Sequence, residues 1–466
     1  KIEQVLNFQY SNTGNVYRYD RLTETNSAGI AKNAQWYYGP QKRIMAQWAM
    51  SYGKTGLFDN VRTSLAYQDI EESRHNRSFN KPNFNHRTEK VQVVSFNADF
   101  NKTYPKGEIR YGAEVVFNKV GSAATEENII THEVKPLDTR YPDGGSTTQA
   151  LSLYITNTYH LTDKLIMNEG IRISYNRLYS LFKNKAFFPF PFNDVTQKSI
   201  SPTGNAGLVF LPSKGWKLSA SFSTGFRTPN VDDMSKVFES GGGQLIIPNP
   251  DIKPEKTFNY EVGVSKSFAG KYLIDLNVWY TKYNNALTTE AATINGLPFV
   301  NYNGVLSNVY KVVNKDKAYL WGTSATLSAD ITKNISLSSV INYTFGRIVS
   351  GAGDTPLDHI APLFGKTSLQ GHVGKFRAEL VALYNGEKKS SNYKLGAEDN
   401  EIYSADPVNG YTPSWFTLNF RSSFAITKNT TVQFACENIA DKFYRVFASG
   451  LSAPGRNFVL TLRASL

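Results

Sequence analysis

The sequence predicts an all-β chain that folds as an antiparallel transmembrane β-barrel with about 18 strands. Three observations lead to this fold class. Apolar and polar residues alternate along segments long enough to cross a bilayer, short and long connections alternate between those segments, and no stretch of the chain can form a transmembrane helix. Together they indicate a wall of strands with lipid on one side and water on the other.

The alternation is clearest in four segments of the chain. Apolar side chains occupy nearly every second position in residues 216–226, 272–280, 416–426 and 458–466. Successive side chains of a strand point to opposite faces, so each segment has one apolar and one polar face. A tilted strand of about 9–11 residues crosses a bilayer, and these segments have that length. We expect Phe222, Leu276, Val278, Leu418, Phe420, Leu460 and Leu462 to face lipid, and Ser221, Asp275, Asn277, Asn419 and Arg463 to face the lumen.

The connections between the predicted strands sort strictly by length. Eight short turns lie at 53–56, 104–107, 162–164, 212–215, 269–271, 332–334, 374–375 and 427–429. Nine longer polar stretches alternate with them, at about 13–42, 73–90, 119–147, 178–198, 227–256, 283–315, 347–362, 387–412 and 440–456. Outer-membrane barrels have short periplasmic turns and long outer loops, whereas a soluble sandwich has no reason to sort its loops by length. No linker or composition shift divides residues 1–466, which we expect to form one barrel unit.

Composition excludes several other classes of protein. The 466 residues include 51 Lys and Arg against 39 Asp and Glu, a net charge of +12, and the mean hydropathy is −0.37. The chain lacks any run of about 18 apolar residues, which excludes a helical membrane span. The single cysteine, Cys436, excludes an intramolecular disulfide framework. Because hydrolase, zinc-protease and P-loop motifs are absent and the basic residues are dispersed, we expect neither an enzyme nor a nucleic-acid partner.

Two paired motifs carry a family resemblance. Residues 225–229 read GFRTP and residues 248–255 read PNPDIKPE, and they resemble the FRAP and NPDLKPE motifs of TonB-dependent outer-membrane receptors. The positions that carry this likeness are Phe226, Arg227, Pro229, Asn249, Pro250, Asp251, Pro254 and Glu255. Residues 437–445 and 454–458 look like the closing hairpin of the same family. Residues 18–22 and 36–43 are similar to a branch that includes haem and haemoglobin receptors.

The resemblance implies a transporter in the outer membrane of a Gram-negative bacterium, taking up a scarce iron-containing ligand, either haem or a ferric siderophore. Such receptors enclose an N-terminal plug in a barrel of about 22 strands and couple to the TonB complex. We therefore expect this sequence to be the C-terminal barrel portion, without the plug and about four strands, so that residues 3–10 cannot pair with residues 458–466. The expected surroundings are the lipid bilayer and lipopolysaccharide, whose phosphates suit the +12 charge, and a surface lipoprotein is a further candidate partner.

Other functions stay open at this point. A passive porin would match the count of about 18 strands but not the two motifs. TonB-dependent uptake of another nutrient, such as cobalamin, an oligosaccharide or a peptide, with a surface lipoprotein, is a second alternative. A soluble all-β binding protein or hydrolase is a third alternative, which detergent-dependent solubility would exclude. In each case we expect no permanently bound cofactor, since haem or a siderophore would be transported cargo.

The candidate ligand-binding residues lie in or beside the predicted outer loops. Haem receptors of this branch typically place an iron-ligating histidine between the two motifs, but residues 230–247 contain none. If haem is the cargo, its iron would be held by a partner protein or by His75, His86, His132 or His359. Porphyrin stacking is assigned to Phe187, Phe188, Phe190 and Phe192, and propionate binding to Arg227 or Lys236.

Each of these assignments has a structural alternative. Arg227 could brace two strands at the rim, the phenylalanines could fold under a neighbouring loop, and the histidines could simply be solvated. Trp36, Tyr37 and Tyr38 are expected in an interfacial aromatic girdle. The acidic residues Glu398, Asp399, Glu401 and Asp406 are expected to be a solvated face rather than a Ca²⁺ site, so no metal site is predicted.

Overall fold

The computed structural model is all-β apart from a few helical residues. It describes residues 2–184, 186–187, 190, 192–235, 238–239, 244–302, 305–349, 353–357, 359–393, 410–449 and 452–465. Helical turns occur at α1 (Tyr19–Leu22), at α2 (Val231–Met234) and in a 3-10 turn at Ser390–Asn392. No helix in these ranges is both long and apolar enough to cross a membrane.

The strands account for most of the described chain. In order they are β1 (Ile2–Asn12), β2 (Val16–Tyr17), β3 (Asn33–Tyr38), β4 (Lys42–Gly53), β5 (Asn60–Ser78), β6 (Asn83–Tyr104), β7 (Gly107–Asn128), β8 (Val134–Pro136), β9 (Ser146–Thr162), β10 (Leu165–Leu181), β11 (Asp194–Phe210), β12 (Trp216–Arg227), β13 (Phe238–Glu239), β14 (Gln244–Ile247), β15 (Glu255–Phe268), β16 (Tyr272–Ala291), β17 (Phe299–Tyr302), β18 (Val305–Asp330), β19 (Ile335–Val349), β20 (Thr355–Pro356), β21 (Phe364–Val373), β22 (Phe376–Asn385), β23 (Lys388–Lys389), β24 (Tyr411–Thr412), β25 (Trp415–Ala425), β26 (Thr430–Glu437) and β27 (Asn457–Ala464). Eighteen of these described strands have eight or more residues, which agrees with the predicted number of wall strands.

The long strands form one continuous antiparallel wall. Each pairs with the next long strand along the chain, in the order β1, β4, β5, β6, β7, β9, β10, β11, β12, β15, β16, β18, β19, β21, β22, β25, β26 and β27. The predicted fold class is confirmed. A local exception is β14, which lies parallel to β18 inside the long connection between β12 and β15.

The two faces of the wall differ as the alternation predicts. On β16, Ile274, Leu276 and Val278 are between 44% and 49% exposed and lie next to the exposed Val262 and Val264 of β15. The intervening Asp275 and Asn277 point to the other face, where Asn277 donates a hydrogen bond to Glu261. An outward apolar band and an inward polar lining are the pattern of a barrel that spans a membrane.

The eight predicted short turns are all present, but several predicted outer loops are shorter than expected. Residues 73–90 were predicted as a loop, whereas β5 and β6 extend through this region and leave only residues 79–82 as a turn. The loops predicted at 119–147, 178–198 and 283–315 are shortened in the same way. Above the bilayer both faces of a hairpin meet water, so the hydrophobic alternation disappears although the backbone pairing continues.

The first and last wall strands each pair on one side. β1 pairs with β4 and β27 pairs with β26, and within the described residues neither has a second neighbour. This agrees with the expectation that residues 3–10 do not pair with residues 458–466. Nearly every residue of both strands is exposed.

The main apolar core lies at the end of the barrel that bears the long connections, which we call the outer mouth. Its buried members are Leu178, Phe182, Phe190, Val195, Val231, Met234, Leu245 and Ile252. They come from the outer ends of β10 and β11, from the 182–193 connection and from the 228–254 connection. The core therefore packs two long connections against the strand ends and positions the residues described next.

Candidate functional site

Arg227, the central residue of the first motif, is bound by two carboxylates. It ends β12 directly opposite Glu255, the first residue of β15, and donates through Nε to that carboxylate. Its Nη1 lies 2.6 Å from Oδ2 of Asp233. Asp233 also completes the capping box of α2, because its carboxylate accepts a hydrogen bond from the backbone N–H of the N-cap residue Asn230 at 2.9 Å. Arg227 therefore joins the two strand ends to the 228–254 connection.

The second motif fastens the far end of this connection to β18. The Asn249 amide donates to the carbonyl oxygen of Val312 at 2.6 Å, and its own Oδ1 accepts from the backbone N–H of Asp251 at 3.1 Å. Further along, the backbone N–H of Lys253 donates to Oδ1 of Asn314 at 2.7 Å. The remaining motif residues continue this path, and they are Phe226, Pro229, Pro250 and Pro254. The motifs thus form a rim brace, the alternative considered above for Arg227.

The phenylalanine cluster packs into the core of the outer mouth. Phe190 is only 7% exposed, meets Phe182 edge to face at 5.4 Å between ring centroids, and stacks on Phe192 at 5.4 Å. Phe187 and Phe192 are partly buried against the same core. Their ring surfaces are used for internal packing, which agrees with the alternative that the cluster folds under neighbouring connections. Phe188 lies outside the described residues.

A group that sequence reasoning missed lies on the inner face of the wall, and we call it the Arg–aromatic wall: Arg18, Trp36, Tyr38 and Arg74. The Arg18 guanidinium lies 5.2 Å from the Trp36 ring centroid and 5.6 Å from that of Tyr38. Arg74 also lies over the Tyr38 ring, 5.1 Å from its centroid. Arginine attracted to an aromatic face is a stable arrangement that also leaves both groups able to bind a ligand.

The inner orientation of this wall follows from strand register. Arg74 is separated from the exposed apolar Leu65 by an odd number of positions on β5, so it points to the opposite face, into the lumen. Tyr38 pairs with Arg74 in the ladder and lies on the same face. This corrects the expected girdle for Trp36 and Tyr38, which point into the lumen, whereas Tyr37 is the ladder partner of His75 and points to the outer face.

Ion pairs hold the Arg–aromatic wall and its surroundings in place. Arg18 contacts Asp20 with Nη2 and Oδ2 2.6 Å apart, and this hydrogen bond lowers the pKa of the Asp20 carboxyl. Arg74 lies 2.8 Å from Glu72 of the same strand, and Arg140 bridges Glu72 at 3.6 Å to Asp232 of α2 at 4.0 Å. The lumen side of the outer mouth therefore carries both signs of charge, with guanidinium groups beside aromatic rings.

The four candidate histidines do not converge on one point in the lumen. His75 and His86 lie on β5 and β6 and face each other, with their Nδ1 atoms 2.7 Å apart. His132 follows β7 and lies 3.5 Å from Glu127. His359 is exposed in the connection before β21, far along the wall. Among the described residues no group of three or more His, Cys, Asp or Glu is arranged to hold a metal ion.

Two other expectations lie outside the described residues. They concern Lys236 and the acidic residues Glu398, Asp399, Glu401 and Asp406. At the opposite, short-turn end of the barrel lies an open pocket of about 760 Å³, lined among others by Lys333, Arg377, Glu379 and Arg421. The two family motifs are at the other end, so the outer mouth is the candidate site for a ligand arriving from outside.

The comparison with known families decides what kind of barrel this is. The family described as "TonB dependent receptor-like, beta-barrel" matches residues 3–439. The chain belongs to this family. Membership of the TonB-dependent receptors confirms the resemblance inferred from the motifs and locates the barrel in the outer membrane of a Gram-negative bacterium.

Similar curated receptors come from several Gram-negative bacteria. The iron-regulated outer membrane virulence protein of Vibrio cholerae is 27% identical over 53% of this chain and 37% of its own length. A probable hemoglobin and hemoglobin-haptoglobin-binding protein of Haemophilus influenzae is 25% identical over 53% of this chain and 25% of its own length. The ferrienterobactin receptor of Escherichia coli is 22% identical over 93% of this chain and 58% of its own length. The chain thus spans less than two thirds of these receptors.

Solved TonB-dependent receptors share the fold. The siderophore receptor PirA from Acinetobacter baumannii superposes with a TM-score of 0.72 at 15% identity, covering 100% of this chain and 68% of that one. At this identity the likeness supports the barrel architecture alone.

Proposed function

We propose that this chain forms the barrel of a TonB-dependent receptor that imports an iron-containing ligand, either haem or a ferric siderophore. The observation that carries the proposal is the family match over residues 3–439, together with relatives named for haemoglobin binding and for ferrienterobactin. Family membership favours energy-coupled uptake over the passive porin considered from the sequence, and transport over catalysis. The lipid bilayer, lipopolysaccharide and the TonB complex are its proposed partners, and a surface lipoprotein remains a candidate.

We infer that further strands and an inner domain complete the receptor. An unpaired strand edge in lipid leaves backbone N–H and C=O groups unsatisfied, at a cost of several kcal/mol for each group. The free edges of β1 and β27 therefore call for additional strands between them. A domain inside the lumen would gate the barrel and transmit the action of TonB, as in other members of the family.

The Arg–aromatic wall is the part of the outer mouth best suited to hold such a cargo. Porphyrin and catecholate rings are flat and stack on Trp36 and Tyr38, while guanidinium groups of Arg18 and Arg74 pair with propionate or catecholate oxygens. Arg227 is less suited to this role because Asp233 and Glu255 already occupy its donors. When cargo binds, its anionic groups would replace the Asp20 carboxylate as the partner of Arg18. They would likewise replace the Glu72 carboxylate as the partner of Arg74.

Growth on defined iron sources tests the proposed function. The full-length gene product is expressed in an indicator strain that lacks its own haem and siderophore receptors, in iron-depleted medium with haemin, haemoglobin or ferric enterobactin. We expect growth on one of these sources, and loss of that growth when TonB is deleted. Growth on none of them contradicts the iron cargo, and growth that does not need TonB contradicts energy-coupled uptake.

Paired variants test the position of the cargo site. The double variant Arg18→Ala and Arg74→Ala should weaken binding of the growth-supporting ligand at least about tenfold, because two charge-assisted contacts are lost. Arg110→Ala is the control, since Arg110 lies near the short-turn end of β7 and pairs with Glu108, away from the Arg–aromatic wall. Equal affinity in the double variant and the control would contradict the assignment.

A further inference from the structure

Two histidines meet on the extended hairpin of β5 and β6. His75 and His86 are direct cross-strand partners, and their Nδ1 atoms are 2.7 Å apart. Tyr37 stacks on the His75 ring at 4.7 Å between centroids, and the Phe84 ring lies 4.3 Å from that of His86. These aromatic neighbours restrict the rotation of both imidazole rings, so packing on each side holds the two rings close to each other.

The histidine pair faces away from the lumen. His75 is separated by an even number of positions from Leu65, which lies in the outward apolar band of β5, and the ladder register between them is unbroken. The same relation holds on β6 between His86 and the exposed Val94. The pair therefore lies on the outer surface of the wall, beyond the apolar band, where cargo travelling through the lumen does not pass.

A carboxylate lies behind the His86 ring. Oε2 of Glu127, on the neighbouring strand β7, lies 3.7 Å from Nε2 of His86, which is an ion-pair contact and not a hydrogen bond. In the metal-free pair one ring donates its Nδ1–H to the Nδ1 lone pair of the other. When the donor ring carries its proton on Nε2 instead, the two Nδ1 lone pairs face each other and repel unless a metal ion lies between them.

We propose that His75 and His86 form a binding site for a divalent transition-metal ion of the Ni²⁺, Cu²⁺ or Zn²⁺ class. Neutral imidazole is a favoured ligand of these ions, and a carboxylate behind a ligating histidine is a recurrent arrangement that orients the ring.

The geometry requires only a small opening of the pair. Zinc–nitrogen bonds of about 2.0–2.1 Å in a tetrahedral site need the two Nδ1 atoms about 3.3 Å apart, slightly more than in the metal-free pair. Two imidazoles supply two ligands, and since no third His, Cys, Asp or Glu converges on this point among the described residues, water completes the coordination. The bound ion would fasten β5 to β6 and is independent of the proposed iron cargo.

Metal titration of the full-length receptor tests this site. The protein is purified in detergent without a histidine tag, then titrated with Zn²⁺ by calorimetry and with Cu²⁺ by electron paramagnetic resonance. We expect one ion per chain and a Cu²⁺ spectrum with coupling to two nitrogen nuclei. His75→Ala and His86→Ala should each remove this equivalent, and Glu127→Gln should weaken it about tenfold by releasing the His86 ring.

A control and a folding check keep the result unambiguous. His160→Ala removes an exposed histidine at the short-turn end and should leave the titration unchanged. Each variant is compared with the wild type by its heat-dependent mobility, so that a misfolded barrel is recognised. Absence of Zn²⁺ and Cu²⁺ binding in the wild type, or the same binding in folded His75→Ala and His86→Ala proteins, would overturn the metal site. Whether or not the metal binds, the His75→Ala and His86→Ala variants should support the same growth on iron sources as the wild type.

Discussion

At the scale of single residues, the most informative side chain is Arg227. The Arg227 side chain is 47% exposed, but the side chain of Glu255, which it contacts, is only 11% exposed. Glu255 also accepts a hydrogen bond from the backbone N–H of Leu287 at 2.7 Å, so it connects β15 with β16 as well. The ion pair matters because one of its partners is buried and cannot be rehydrated when the other is removed.

Replacing Arg227 should therefore destabilise the barrel more than replacing an arginine of similar exposure. Arg227→Ala is expected to lower the free energy of unfolding by about 2 kcal/mol, measured by urea titration in lipid vesicles. Arg421→Ala is the matched control, because Arg421 is 49% exposed but its partner Glu437 is 42% exposed, and such pairs contribute only about 0–1 kcal/mol. Equal losses in the two variants would contradict the importance of the buried carboxylate.

Asp59 provides a prediction about pH at the short-turn end. Its carboxylate accepts hydrogen bonds from the backbone N–H of Thr103 at 2.7 Å and from the Thr103 hydroxyl at 2.5 Å, which lower its pKa from 3.8 to about 2. A depressed pKa means that this contact stabilises the fold fully above the unfolded value and is lost as the pH falls through about 2.

The Thr103 amide resonance reports this titration directly. Its chemical shift is expected to stay constant from neutral pH down to about 3 and then to change with a midpoint near 2. Asp59→Asn removes the titrating group and should abolish the transition while keeping an acceptor for the amide. A midpoint near the ordinary value of 3.8 would show that the two hydrogen bonds do not persist in solution.

At the scale of a strand, the physical rule is that the two faces meet different solvents. β16 alternates between Leu276 and Val278 on the lipid face and Asp275 and Asn277 on the lumen face. The register with β15 brings Val264 and Val262 beside the first pair, so the apolar band continues across strands. A charged substitution should accordingly be destabilising on the lipid face and nearly neutral at the neighbouring position on the lumen face.

Leu276→Arg tests this rule. We expect a loss of about 2–4 kcal/mol in the free energy of unfolding if the residue lies near the bilayer midplane, because the charge must leave water. Asn277→Arg, one position further along, should change it by less than about 1 kcal/mol, since the new side chain points into the lumen beside Glu261. Folding into vesicles monitored by tryptophan fluorescence measures both. A greater loss at residue 277 than at residue 276 would reverse the assigned faces.

At the scale of the whole molecule, the wall has two free edges. Eighteen long strands follow one another in antiparallel register, and β1 and β27 each have one ladder partner within the described chain. The outer mouth is nevertheless well packed, because its core and the motif brace join the 228–254 connection to β12, β15 and β18. The site can therefore be ordered although the wall is not closed by its own first and last strands.

Engineered disulfides distinguish open from closed edges. In the 466-residue chain carrying Cys436→Ser, the pair Phe8→Cys and Ala46→Cys should cross-link, because Phe8 and Ala46 are register partners of β1 and β4. The pairs Phe8→Cys with Leu460→Cys and Leu6→Cys with Leu462→Cys should stay reduced. Oxidation followed by non-reducing electrophoresis separates the two outcomes. Cross-linking of β1 to β27 would mean that the barrel closes on itself.

The sequence by itself determined the strand number, the orientation of the strand faces and the eight short turns. These properties are local, because a period of two along the chain fixes which side chains meet lipid, and Gly, Pro and Asn residues mark the turns. The family could also be inferred, since residues 225–229 and 248–255 form contiguous motifs. The loop bounds were less accurate because β5 and β6 continue where both faces are wet and no alternation remains.

Only the tertiary structure decided which residues meet. Arg227 reaches Glu255 across a ladder, Phe190 is buried by a connection distant in sequence, and Arg18 meets Arg74 through the ring of Tyr38. His75 and His86 were candidates from the sequence, but their direct pairing and their outward orientation depend on the register between β5 and β6. Register is set by many side chains packing at once, and a shift of one residue moves every side chain to the other face, so this information is absent from any local segment.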